Sequence, residues 1–450
     1  MSSDVASPSL LRKRGWVLFS VALLTRLLLL MAFNGQWAVL GPFATGTVAA
    51  GMSGEPDDVV LARNLVREHR YVIGYSVDAN PTPELRKTAF WSPGTPVFYA
   101  AVQWLFPEKA SLVIQLIQSL FLSVAFVLFA VFFESWFGPS TALVSYGFMV
   151  LSPFLGVAHL TFNNTAATVF LAAMFFFLFD RWLRNARPVD AVCVGSVFGV
   201  LLLFNASYVS FVIGFPLFLW VRGRSYWKQV ALAAGVLTIV LLPWTVRNYA
   251  VFQRFIPLRS AYQSVFWVGN NPLSNGYCRL PDGQRILPDA GLERRMEGMN
   301  EVQRGDFLFR DAIGFIRENP GAFISLRVKT WFYFWTTYGY WNSPRLSMPR
   351  KALWGVTLLM IALSLCGGVL ALIRNRSAQT VFIVSGMVLF GLSYALCHAD
   401  VYERYRLSLD PLLLGFAAYA LTVFSGEGRW KKLSDMIGRS APAREDSSGR

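Results

Sequence analysis

Long uninterrupted apolar blocks constrain this chain more than any other feature. From residue 15 to residue 424 its hydrophobic residues fall in stretches of roughly 17–25, the length a helix needs to cross about 30 Å of hydrocarbon. A backbone in hydrocarbon has to satisfy its own hydrogen bonds, so these blocks are expected to be helices. A transmembrane barrel would instead read as alternating segments of about ten residues, and none is present. Only 15% of the 450 residues are charged, against about 25% in a soluble domain. The chain is therefore read as an all-α polytopic membrane protein. Its 38 Phe and 15 Trp suit lipid-facing packing and the interfacial aromatic belt.

The formal net charge of +15 invites a nucleic-acid reading, which the placement of the charges excludes. Basic clusters sit at the ends of apolar blocks: Arg12-Lys13-Arg14, Arg181/Arg184/Arg187, Arg222/Arg224/Lys228, Arg374/Arg376 and Arg429/Lys431/Lys432. This is the positive-inside pattern, which orients a membrane protein and contacts anionic lipid heads. It threads residues 1–14 as a cytoplasmic N-terminus and 15–425 as a transmembrane domain of ten spans. These are expected near 15–34, 111–134, 140–158, 164–181, two within 189–221, 227–245, 351–373, 379–397 and 407–424. Pro93–Phe106 and Phe323–Trp341 are expected as interfacial helices, and the count becomes eleven if one of them spans. Two large outer loops, 35–110 and 246–350, fall on the face opposite the basic clusters, and the tail 426–450 is expected to be cytoplasmic and disordered. Residues 15–34 are longer than a signal-peptide core and lack a small-residue cleavage site, so they read as a retained span. The four cysteines, Cys193, Cys278, Cys366 and Cys397, have no metal-like spacing and imply no disulfide framework.

Function usually resides where loops are long and chemically varied. The first outer loop carries Gly54-Glu55-Pro56-Asp57-Asp58, followed by apolar residues at helical spacing. Its carboxylates would sit at a helix N-terminus, where the dipole favours the ionised form. Glu55, Asp57 or Asp58 would then be available as a general base; an acidic helix start without catalysis is the competing reading. A second constellation, Glu403-Arg404-Tyr405-Arg406 before Asp410-Pro411, brings two arginines to the outer end of a span. Their planar forks suit a phosphate or carboxylate, and snorkelling toward lipid heads is the bland alternative. A third, Pro243-Trp244 with Arg247-Asn248-Tyr249, leads to the turn Gly269-Asn270-Asn271-Pro272, and a loop turn carrying no catalysis is the favoured reading of it. Arg26, inside the first span, is expected to face the bundle interior, as a functional residue or as a structural ion-pair partner.

Taken in order, these pieces and Trp91-Ser92-Pro93-Gly94-Thr95-Pro96 resemble the bacterial glycosyltransferase family 39 proteins. Those are relatives of protein O-mannosyltransferases and of the aminoarabinose transferase for lipid A. The resemblance runs over residues 10–425 and implies a GT-C architecture with a polyprenyl-phosphate sugar as donor. It implies that a first-loop carboxylate activates a hydroxyl of a glycan, lipid or protein acceptor, with inversion at the anomeric carbon. Arg404, Arg406 and Arg247 would hold the donor phosphate, and Asn248, Asn270, Tyr405 and Glu403 would bind substrate. Relatives carry an acidic residue followed a few positions later by an aromatic. Here Asp58 stands at the aromatic position and Gly54 at one acidic position. The order of preference for the base is therefore Asp57, Asp58, Glu55. No cofactor is expected; paired acids leave a divalent metal open, although no ligand set is evident. A bacterial inner membrane with the site facing the periplasm is implied. A transporter or flippase of a lipid-linked sugar is the alternative, and it calls for broken helices paired between two halves. No internal repeat supports that. A membrane scaffold without chemistry is the third reading.

Overall fold

The fold is given by a computed structural model that describes residues 10–33, 56–74, 84–222, 226–276, 280, 284–336, 348–375, 377–397 and 403–426. Glu55, His398, Asp400 and the tail from 427 lie outside the described residues. Each of the ten expected spans falls on helix among the described residues, the third broken at Ser152 and the tenth starting at Asp410. Six helices are long and apolar enough to cross a membrane: α1 (Leu10–Phe33), α4 (Ala110–Phe137), α7 (Thr165–Asn185), α10 (Trp227–Phe252), α15 (Met348–Arg374) and α16 (Ala378–Cys397). A seventh is a bent pair, α5 (Pro139–Leu151) and α6 (Pro153–Val157), the latter extended by a 3₁₀ turn at Ala158–Leu160. Shorter apolar helices complete the ten: α8 (Pro188–Phe204), α9 (Val209–Arg222) and α18 (Asp410–Phe424). The protein is an integral multi-pass membrane protein.

The bend of 58° between α5 and α6 has a local cause. Pro153 has no N–H to donate, and Ser152 turns the chain into an extended conformation, its hydroxyl accepting from the Leu155 N–H. The break frees carbonyls inside the bundle, and Arg26 answers them. Its guanidinium donates to the Gly156 carbonyl at 2.7 Å and the Val150 carbonyl at 3.4 Å, and it lies over the Phe126 ring. Non-helical backbone at membrane depth is tolerated where protein groups satisfy it. The structure therefore gives the first-span arginine backbone partners in place of a buried acid.

The core is an aromatic column. Phe126, Phe129, Phe132 and Phe133 of α4 interleave with Phe175, Phe176 and Phe179 of α7, and Phe382 of α16 closes on Phe179 at 4.7 Å. Such rings at 4.5–7 Å add to their area burial. Small residues set the closest approaches. A side chain on Gly367 of α15 would sit 1.9 Å from the Phe416 carbonyl oxygen of α18, so only glycine allows these helices to touch backbone to backbone.

Two long connections, between α1 and α4 and between α10 and α15, carry shorter elements. The first connection holds α2 (Asp57–Glu68), an antiparallel pair β1 (Val72–Ile73) and β2 (Arg86–Lys87), and α3 (Gly94–Leu105). The second holds α11 (Ala261–Gly269), α12 (Ala290–Arg295), α13 (Glu301–Glu318) and α14 (Pro320–Thr336). The short α17 (Glu403–Leu407) precedes α18. Neither α3 nor α14 is among the helices long and apolar enough to cross. Helix α14 is two-faced: Ile324, Val328 and Phe332 are exposed at four-residue spacing, while Arg327, Thr330 and Phe334 are buried. One boundary differs from expectation. The seventh span continues through Pro243 to Phe252, so Arg247 and Asn248 stand on helix rather than in a loop. Proline inside a membrane helix is tolerated where neighbouring groups re-satisfy the backbone that it frees.

Candidate active site

The long connections contribute to two polar clusters. In the first, Pro56 caps α2 and places Asp57 and Asp58 in its first turn, where the unpaired N–H groups favour anions. Helix α2 is amphipathic, and Leu61 and Ala62 are its buried anchors. Leu61 packs with Tyr71 and Ile73 against Trp91 and Trp244; Ala62 packs with Tyr99 of α3. The Trp91 indole N–H donates to Asp57 Oδ2 at 3.1 Å. Asp58 lies near two buried phenols. Burial pushes Tyr71 and Tyr99 well above the ordinary tyrosine value, and the Asp58 charge pushes each further. The Tyr71 hydroxyl donates to the Trp91 and Ser92 carbonyls, both at 3.3 Å.

Just beyond, Gly94 opens α3 against the end of α8. A Cβ there would meet the Phe204 ring at 2.4 Å, which accounts for glycine after Trp91-Ser92-Pro93. The Tyr99 hydroxyl reaches Gln118 and the Asn163 carbonyl, both at 3.1 Å, and Asn164 donates to the Phe204 carbonyl. The first-loop helices are thereby fixed to the ends of α4, α7 and α8.

Arg247, expected on a donor phosphate, faces protein. It donates to the Thr88 carbonyl at 2.7 Å, the Tyr71 carbonyl at 3.1 Å and Asn248 Oδ1 at 2.9 Å, and its plane lies over Trp244 and Tyr71. Asn248, fully buried, donates to the Ile256 carbonyl. Both act here as struts between α10 and the loops.

The second cluster surrounds Arg406. The Arg406 residue is 3% exposed; its Nε donates to Asp410 Oδ1 at 2.9 Å and its Nη1 to the Trp335 carbonyl at 2.5 Å. Its Nη2 has no hydrogen bond among the described residues. Nearby, Ser408 Oγ and Trp335 Nε1 are buried without partners among the described residues. Tyr405 packs on Tyr394 at 5.0 Å, and the Tyr394 hydroxyl accepts from Ser207. Glu403 and Arg404 lie in α17, but their side chains are outside the described residues. Asn270 caps α11, donates to the Phe266 carbonyl, and its own Oδ1 is buried without a partner among the described residues.

Sequence reasoning passed over three residues. Arg327 of α14 donates to the Gly269, Ala395 and Leu396 carbonyls, so the negative ends of α11 and α16 converge on one buried cation. Burial brings its guanidinium down to about 10, which leaves it charged at neutral pH. Its signal was a basic residue inside an aromatic stretch. Glu301 and Trp91 are the others. Glu301 stands within the capping box of Asn300 and Gln303, which marks a helix start in sequence without revealing what the acid meets. Among the described residues, no three His, Cys, Asp or Glu side chains converge as a metal site.

No protein-family model matches the sequence, and no curated protein sequence matches it. Solved structures do. The oligosaccharyltransferase of Archaeoglobus fulgidus in its apo form aligns with a TM-score of 0.50 at 14% identity, over 95% of this chain and 52% of that one. The same organism's oligosaccharyltransferase AglB, in complex with an inhibitory peptide and a dolichol-phosphate, aligns at 0.47 and 14%, over 96% and 53%. ArnT from Cupriavidus metallidurans, bound to undecaprenyl phosphate, aligns at 0.37 and 13%, over 88% and 78%. The chain spans about half the length of the archaeal structures. The architecture is the GT-C fold.

Proposed function

We propose that this protein is a membrane glycosyltransferase that moves a sugar from a polyprenyl-phosphate donor to an acceptor hydroxyl. The acceptor O–H gives its proton to the carboxylate of Asp57, with Asp58 next in preference and Glu55 third. The freed oxygen attacks the anomeric carbon from the face opposite the phosphate. As the new C–O bond forms, the bond from that carbon to the phosphate oxygen breaks, and the configuration inverts. The lipid phosphate leaves carrying the added charge, and a guanidinium beside it stabilises that charge. Arg406 is the foremost ligand, with Arg404 beside it on α17. Arg247, bonded to backbone carbonyls, is kept as a support of the first loop. The site faces the side opposite the basic clusters, which is the periplasm if the membrane is a bacterial inner membrane.

One observation carries the reading. On a GT-C fold, the chain carries an acidic helix start and a buried arginine with an uncommitted nitrogen, flanked by Ser408 and Trp335 groups that are unpaired among the described residues. Buried polar groups are nearly always bonded, so unpaired ones beside a charge suit a ligand. The likeness to an oligosaccharyltransferase fits transfer of a sugar.

The test uses purified protein in lipid with radiolabelled polyprenyl-phosphate pentoses and hexoses and a membrane-extract acceptor. Asp57→Asn is expected to lower transfer by about 10²–10⁴, the usual contribution of a general base. Equal transfer by wild type and an Asp57→Asn, Asp58→Asn double variant moves the base to Glu55 or elsewhere. No transfer from any donor by folded protein sinks the reading and favours transport of the lipid-linked sugar.

A further inference from the structure

Asp57 is not held by its own loop alone. Its hydrogen-bond partner Trp91 ends a short strip, residues 88–91, that is gripped from the second outer loop. The Glu301 carboxylate accepts from the Thr88 hydroxyl at 2.5 Å and from the Ala89 N–H at 3.0 Å. It also accepts from the Ser260 hydroxyl at 2.5 Å, and the Ser260 N–H donates back to the Ala89 carbonyl at 2.9 Å. The Thr88 hydroxyl in turn accepts from the Phe90 N–H at 3.0 Å. From the other side Arg247 holds the Thr88 and Tyr71 carbonyls, and the Tyr71 hydroxyl holds the Trp91 carbonyl. Ala89 packs with Phe252, Ile256 and Val302, so apolar contact seals the same junction.

We infer that Glu301 is a positioning residue that sets the Asp57 carboxylate through the strip Thr88–Trp91. The inference rests on the proposed role of Asp57 as base. The chemistry of the latch supports it. A carboxylate that accepts three hydrogen bonds makes strong, charge-assisted contacts, and here two of them fix residues only two and three positions before the indole that touches Asp57. The strip has no helix or sheet of its own to hold it: β2 stops at Lys87 and α3 starts at Gly94. Its geometry is therefore supplied from outside, and Glu301 supplies the largest share from the second loop. A base displaced by about 1 Å can lose on the order of 10² in rate.

Two readouts test this on the full chain in lipid. The first needs no donor. The protein is labelled with 5-fluorotryptophan, and the ¹⁹F signal absent from Trp91→Phe is assigned to position 91. In Glu301→Ala that signal is expected to move or split, while the signals of tryptophans in the spans stay in place; Thr88→Val, a smaller change, is expected to move it less. An unchanged Trp91 signal in both variants overturns the latch. The second readout is transfer kinetics with the labelled donor that the wild type uses. Glu301→Ala is expected to lower kcat by about tenfold to 10², with the donor KM within about twofold. Combined with Trp91→Phe, it is expected to add little further loss, because both act through one contact. Fully multiplicative losses, or a loss confined to KM, overturn the positioning role. Should Asp57→Asn transfer at the wild-type rate, the base assignment fails instead, and the ¹⁹F readout still decides whether the latch exists.

Discussion

Breaking the buried pair at Arg406 separates its structural contribution from its chemical one. Arg406 Nε and Asp410 Oδ1 lie 2.9 Å apart, with side chains 3% and 10% exposed. Two unit charges about 4 Å apart at an effective dielectric of about 20 attract by about 4 kcal/mol. Asp410→Ala removes one partner and leaves a cation that the surrounding protein keeps from water. The expected loss of stability is therefore about 3–5 kcal/mol, the range for orphaning a buried charge. Replacing both partners, Arg406→Met with Asp410→Leu, removes the desolvation penalty together with the attraction. The double variant is expected to return to within about 1 kcal/mol of wild type. Sugar transfer should not return with it, because no cation remains for the leaving phosphate; losing one such group costs on the order of 10²–10³ in rate. The assay is SDS-driven unfolding in mixed micelles beside transfer from the labelled donor. A loss below about 1 kcal/mol in Asp410→Ala, or a double variant less stable than the single, refutes the energetic argument. Wild-type transfer by the double variant removes Arg406 from the phosphate.

Two further outcomes are expected. Gly367→Ala places a methyl group where the Phe416 carbonyl stands, 1.9 Å away, so α15 and α18 must part. Unfolding in mixed micelles should show a loss of about 1–3 kcal/mol or more, and wild-type stability would refute the close-approach argument. Tyr71 and Tyr99 keep their phenolic protons in the folded protein at a pH where the unfolded chain releases them. Their folded values are raised, so stability is unaffected below about pH 10 and falls as pH rises above it. Tyr99→Phe should flatten that alkaline decline in a pH series of melts; an equally steep decline would show that the buried phenols are not its source.

The spans were legible in the sequence because the signal is local and strong: some twenty apolar residues closed by a basic cluster cannot be much else. The break in the third span at Ser152-Pro153 was not among the expectations, which ran that span unbroken over 140–158. What else escaped was decided by contacts remote in sequence. Arg247 looks like a phosphate ligand when read with its neighbours, since a charged fork at a helix end suits anions. The carbonyls that claim it belong to Tyr71 and Thr88, 176 and 159 positions away. Glu301 reads as an ordinary acid at a helix start, and its partners at Thr88 and Ala89 lie 213 and 212 positions away. Arg406 was legible for the opposite reason. A basic residue on the face that the positive-inside bias avoids needs a cause, and the structure pairs it with the buried Asp410.

The two outer loops are one unit at the site, and this limits how it can vary. Trp244 of α10 packs both with the cluster containing Leu61, Tyr71 and Trp91 and with the cluster containing Ala89, Ile256 and Val302. Neither loop encloses a core there by itself; each borrows apolar area from the other and from the end of α10. A substitution in the second loop that shifts α13 therefore moves Glu301, then Thr88 and Ala89, and through Trp91 the carboxylate of Asp57. Packed cores do not deform continuously, so such a shift is resisted until it breaks. Variation in the second loop is then best tolerated away from the latch, on the exposed faces of α12 and α13. In the proposed reaction, substitutions at Ser260, Thr88 or Glu301 should instead change the rate with every acceptor alike.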